Sequence, residues 1–144
     1  MDESLPHLLA LVITANGAPI ALRYLAGHKM AYPVDFHIYF IDQKRLFGNT
    51  KTWRGLMASL LLTCPAAVLL DYDLKTGFLI AAGAMSGDLL SSFIKRRLNM
   101  RPSSMAPLLD QVPESLIPAL LVMHSFHLTA HTIIYLVILF FVLE

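Results

Sequence analysis

Charge is scarce in this chain of 144 residues: Asp, Glu, Lys and Arg make up 15% of it, where an ordinary soluble domain carries about 25%. Hydrophobic residues supply 56% and the mean hydropathy is +0.62, which excludes a water-soluble domain of this size. Cysteine is nearly absent. The single Cys64 rules out an intramolecular disulfide, and its place beside Pro65 in an apolar run reads as core packing. The first six residues hold two acids and no Lys or Arg, so a cleaved signal peptide is not expected. A net charge of +1 argues neither for nor against nucleic acid, and in a chain this apolar no nucleic-acid partner is expected.

What is present is a series of apolar runs, and a span needs about 20 residues. The length therefore admits a single integral-membrane domain over residues 1–144. Runs at 5–26, 55–70, 77–98, 113–125 and 129–143 predict an all-α polytopic membrane protein of about five transmembrane helices with two charged cytoplasmic loops. Asn16, Gly17 and Pro19 are expected to kink or break the first helix. Ten of the 11 basic residues fall in or near the first and third loops, leaving only Lys75 opposite. By the positive-inside bias the N-terminus is then outside the cell membrane, and both charged loops are cytoplasmic.

These loops mix acids among the bases. Segment 32–55 contains Asp35 and Asp42 together with Lys44, Arg45, Lys51 and Arg54. Lipid headgroup binding and an aromatic belt of Tyr32, Tyr39, Phe47 and Trp53 account for the basic and aromatic residues but not for the acids. Lys51, Thr52 and Arg54, close to Gly48 and Gly55, offer donors suited to phosphate, although the spacing is not that of a P-loop.

Asp88 lies inside the third run, where a carboxylate facing lipid costs at least about 2.5 kcal/mol and is a functional candidate by default. On a helix, Ser91 and Ser92 follow at i+3 and i+4, and Lys95 and Arg96 lie about 10–12 Å further on along the same face. An ion pair that seals the bundle is the structural alternative. Gly83 and Gly87, flanked by Ala81, Ala82 and Ala84, make a GxxxG spacing for close helix approach, through which a homodimer is plausible. Asp88 and Asp110 together could share a hard cation such as Mg²⁺, which takes a few carboxylates plus substrate phosphate oxygens. That is the inventory of phosphoryl or nucleotidyl transfer. His124, His127 and His131, three and four apart, fall at an expected turn and read as interfacial polar residues. His37, in the charged first loop, is a better though still weak candidate for substrate contact.

The residues in order are Asn16-Gly17-Ala18-Pro19, Pro33-Val34-Asp35-Phe36, Arg45-Leu46-Phe47-Gly48, Lys51-Thr52-Trp53-Arg54-Gly55, Gly87-Asp88-Leu89-Leu90, Ser92-Phe93-Ile94-Lys95-Arg96-Arg97 and Pro107-Leu108-Leu109-Asp110-Gln111. Together they resemble the CDP-archaeol synthase (CarS) family and, more distantly, the CDP-diacylglycerol synthases. The resemblance implies a five-helix membrane enzyme that uses Mg²⁺ to join CTP and a membrane lipid phosphate, releasing pyrophosphate. It further implies Asp88 and Asp110 as metal ligands, and Lys95, Arg96 and Arg97 as holders of triphosphate or lipid phosphate. Asp35, Asp42, Arg45, Lys51, Thr52 and Arg54 would shape the nucleotide pocket. The chain departs from the family pattern at His37-Ile38, at Gln43 and at Val112-Pro113-Glu114, departures that bear on which lipid, ether or ester, is used. A non-catalytic protein binding anionic headgroups is the alternative function, and a small transporter is disfavoured by the lack of an internal repeat.

Overall fold

The computed structural model describes residues 4–143. Asp2 and Glu3, the acids of the expected uncleaved N-terminus, lie outside the described residues, as does Glu144. Five helices run in order: α1 (Ser4–Ala26), α2 (Trp53–Leu69), α3 (Leu74–Arg97), α4 (Pro107–Leu121) and α5 (Ala130–Leu143). Among the described residues there is no strand, only two isolated bridges in the first loop, Pro33 to Thr52 and Tyr39 to Arg45. α1 and α3 are long and apolar enough to cross a bilayer, and α2 and α5 are shorter apolar helices. The outer surface carries exposed Leu61, Leu62, Leu69, Ile134, Tyr135, Ile138 and Phe141. A surface this apolar faces lipid.

Packing relies on small residues. α3 is the central helix and touches α1, α2 and α4, with Gly77, Ala81, Gly83, Ala84 and Gly87 buried along it. A Cβ on Gly77 would stand 2.8 Å from the Cα of Cys64, one on Gly83 2.8 Å from the Cα of Pro118, and one on Gly87 2.4 Å from the carbonyl oxygen of Pro113. The close approach foreshadowed by the glycine spacing is therefore made within the chain, to α4. That face is closed to a partner copy.

Helix ends differ from the expectation in instructive ways. α1 continues through Pro19. The Pro19 ring packs where a Cβ on Gly55 would stand, 3.2 Å away, so the proline joins α1 to α2 instead of breaking the helix. α2 starts at Trp53 because Thr52 caps it, its side chain accepting from the Gly55 amide. α4 starts six residues earlier than expected, at Pro107, since proline suits a first helical position where the missing amide costs nothing. Asp110 thereby moves from loop to helix, where its Oδ2 accepts from the Ala106 amide at 3.2 Å. α3 ends as Asn99 takes φ +57° and the Met100 amide reaches back to the Lys95 carbonyl at 3.0 Å, a Schellman stop.

Candidate active site at the charged end of the bundle

The first loop is built around one buried carboxylate. Asp35, 2% exposed, accepts from the Arg45 guanidinium through both Nε and Nη2. It also accepts from the amides of His37, Phe47 and Gly48 at 3.0–3.1 Å. Burial by itself would raise the acid's pKa. The Arg45 bonds and the backbone amides from Gly48, Phe47 and His37 outweigh it and hold the carboxyl well below its ordinary range. Gly48 meets the sharp turn with φ +95°.

A second clamp ties this loop to the end of α3. Arg97 Nε lies 2.7 Å from Asp42 Oδ2, a charge contact without hydrogen-bond alignment. Arg97 Nη2 donates to the Arg45 carbonyl at 2.7 Å, and its guanidinium lies over the rings of Phe40 and Phe93. Lys44 Nζ donates in return to the Arg97 carbonyl at 2.9 Å. Asp35, Asp42, Arg45 and Arg97 are thus arranged as loop architecture, outside the walls of the cavity they brace.

That cavity, of about 360 Å³, lies between α1, the start of α2, α3 and the folded loop. Of the residues singled out from sequence, Lys51, Thr52, Arg54, Asp88, Lys95 and Arg96 line it. Lys51 Nζ sits 2.5 Å from Asp88 Oδ1. Lys95 Nζ donates to the Ser104 carbonyl at 3.2 Å and lies 2.7 Å from Asp110 Oδ1, again without hydrogen-bond alignment. Asp110 stands behind Lys95 rather than in the cavity wall. Arg54 donates to the carbonyls of Gly27 and Lys29, which pins the end of α1. Arg96 is 8% exposed, and its Nε has no hydrogen-bond partner among the described residues. A buried guanidinium left incompletely paired is costly unless an anion joins it.

Asn16, Arg23, His28 and Glu114 also line the cavity and were not singled out as site residues from the sequence. Asn16, Ile20 and Arg23 recur at a spacing of four and three, a helical face that was legible in principle. The walls also carry apolar side chains, among them Ile20, Leu56, Met85 and Leu89. One concavity therefore joins cations and a carboxylate to apolar side chains. Among the described residues no group of three or more His, Cys, Asp or Glu is placed to hold a metal ion, and the three histidines 124, 127 and 131 are all exposed at the other end.

Known proteins resemble this chain in sequence and fold. The CarS-like family, described as CDP-archaeol synthase, matches residues 8–75 and 66–144. A CDP-archaeol synthase of Thermofilum pendens is 37% identical over 68% of this chain and 50% of its own length. One of Pyrococcus furiosus is 39% identical over 67% of this chain and 60% of its own length. The chain thus spans about half to three fifths of these relatives. A solved structure of an intramembrane enzyme for archaeal membrane lipid biosynthesis superposes with a TM-score of 0.80 at 28% identity, covering 95% of this chain and 87% of the other. The chain belongs to the CDP-archaeol synthase family.

Proposed function

We propose that this family member is a CTP-dependent cytidylyltransferase of phospholipid biosynthesis, forming a CDP-activated lipid from CTP and a membrane lipid phosphate with release of pyrophosphate. The observation that carries this reading is that Lys51, Asp88, Lys95 and Arg96 line the same cavity as the apolar Ile20, Leu56, Met85 and Leu89. A phosphate and the hydrocarbon attached to it need that combination in one place. The relatives' name supports an ether lipid as the substrate, with an ester lipid phosphate as the comparison.

In the reaction, a lipid phosphate oxygen bonds to the α-phosphorus of CTP, and the bond from that phosphorus to its bridging oxygen breaks. The electron pair leaves with pyrophosphate. A phosphate monoester is already largely dianionic at neutral pH, so no general base is required of the chain. Lys51, Lys95 and Arg96 bind and orient the phosphates, and Arg54 holds the cavity's edge. Catalysis by positioning and charge neutralisation suits this set. The donor chemistry fits Mg²⁺, which is satisfied by one or two carboxylates plus substrate oxygens: Asp88 would hold it from the cavity wall together with substrate phosphate oxygens, and Asp110, behind Lys95, would join as a second carboxylate only on release from that ion pair. When bound, the ion neutralises charge on the departing pyrophosphate. The two charged loops face the cytoplasm on this reading, and residues 1–144 act as one domain.

The test is purified protein in detergent with labelled CTP, Mg²⁺ and a panel of ether and ester lipid phosphates. A CDP-lipid forms with at least one, and Asp88→Asn sharply lowers its formation while the protein remains folded. Comparable turnover in that variant removes Asp88 from the chemistry. Headgroup binding without any product from the wild type leaves a non-catalytic lipid binder.

A further inference from the structure

Behind Arg96 a second cavity of about 370 Å³ opens at the same end of the bundle, between the turn at residues 44–49 and the segment that follows α3. Arg96 and Asn49 stand in the wall common to both cavities. The second cavity is lined by Lys44, Arg45 and Arg101 as well, and by no Asp or Glu. The first, in contrast, holds Asp88 and Glu114. The charge of Arg45 is met by Asp35, but Lys44 Nζ donates to a neutral carbonyl, and Arg101 is exposed at the rim.

A helix C-terminus is a poor floor for an anion, because its free carbonyls point outward. Here they are occupied. The amides of Leu98, Asn99 and Met100 take the carbonyls of Ile94, Arg96 and Lys95, and Lys44 takes that of Arg97. All the charged residues in the cavity wall are cations. Four cations around an acid-free space suit a compact, multiply charged anion.

We propose that this second cavity is a diphosphate subsite, in which Arg96 is the donor shared with the reacting phosphate and Arg101 and Lys44 hold the far phosphate. The inference rests on the cytidylyltransferase reading for the source of the diphosphate. In an in-line displacement the attacking and leaving oxygens lie on opposite sides of the phosphorus. With the lipid phosphate in the first cavity, the diphosphate departs away from it, past Arg96. The same chemistry describes the β- and γ-phosphates of bound CTP and the pyrophosphate that the reaction releases.

Calorimetric titration of the full chain in detergent with inorganic pyrophosphate, CTP and CMP tests the subsite. Arg101→Glu weakens pyrophosphate binding about tenfold or more, as loss of a charge-assisted contact and addition of a like charge require. Arg101→Lys restores most of it, and Lys75→Ala, at the opposite end of α3 and in neither cavity, leaves it unchanged. CMP, which has no diphosphate, binds the Arg101→Glu variant as it binds the wild type. A parallel loss for CTP assigns the subsite to the bound nucleotide, and a loss confined to pyrophosphate assigns it to the released product. Equal pyrophosphate affinity in wild type and Arg101→Glu, or an equal loss for CMP, overturns the proposal. CDP-lipid formation is scored on the same preparations. If product forms but pyrophosphate binding ignores Arg101, the subsite alone falls; if Arg101-dependent binding persists with no product from any lipid phosphate, the cytidylyltransferase reading falls and the anion site stands.

Discussion

Lys51 and Asp88, 37 residues apart in sequence, meet side by side in the cavity, Nζ to Oδ1 at 2.5 Å. The contact fastens the end of the folded loop to the middle of α3. Each side chain is about one-fifth exposed, so removal of either leaves the other charge incompletely solvated and incompletely paired.

That pairing predicts non-additive kinetics. Lys51→Ala and Asp88→Asn each reduce CDP-lipid formation, and the double variant loses less than the sum. The coupling is about 1 kcal/mol or more, as for groups in direct contact. Measured turnover of the four proteins that is additive within a few tenths of a kcal/mol shows the pair to be independent in the reaction.

The loop carboxylate predicts a stability effect. Asp35→Asn leaves the half-buried Arg45 beside a neutral amide and destabilises the fold by roughly 3 kcal/mol, the usual scale for a broken buried ion pair. Thermal melts in detergent read this directly. The folded pKa of Asp35 is depressed from an ordinary 3.8, so its stabilisation is complete above that value and is lost as pH falls towards the folded pKa. The melting gap between wild type and the Asp35→Asn variant is therefore constant from pH 7 to about 5 and narrows only below about 4. A gap that closes near neutral pH assigns the effect to another group.

Two glycines separate by sign. Gly87→Ala drives a methyl into the backbone of Pro113 and Glu114, atoms that cannot rotate away, and costs about 3 kcal/mol or more. Gly17→Ala has nothing within 4 Å of the new methyl and stabilises α1 by about 0.5–1 kcal/mol through helix propensity. Equal melting temperatures for the two variants contradict the α3–α4 contact.

Arg97 predicts a dynamic readout. Arg97→Ala removes the contacts to Asp42, Phe40, Phe93 and the Arg45 carbonyl together. Limited proteolysis and amide exchange within residues 36–48 accelerate, and Arg97→Lys, without the planar guanidinium, recovers only part of the protection. Unchanged exchange in the loop places its anchoring elsewhere.

The sequence by itself determined that the chain is a helical membrane protein with its basic residues gathered in two stretches. In so apolar a chain a charge is expensive to keep, so its position carries information: Asp88 within a span and the Lys95-Arg96-Arg97 run stood out on that ground, and the ordered motifs carried the family. Local signals also contained the α2 cap at Thr52 and the α4 start at Pro107, although the latter was obscured by Pro113 and Pro118 further on. Only the tertiary structure decided which charge meets which. In sequence Asp35, Asp42 and Asp88 are all acids with bases nearby, yet the loop's fold turns the first two onto Arg45 and Arg97 while Asp88 receives Lys51. The Gly83–Gly87 spacing announced a close approach but not its partner, which is α4 of the same chain. Spacing along a helix reports which residues share a face; the element that covers that face, and therefore the pairing of buried charges, is set by long-range packing that no local pattern encodes.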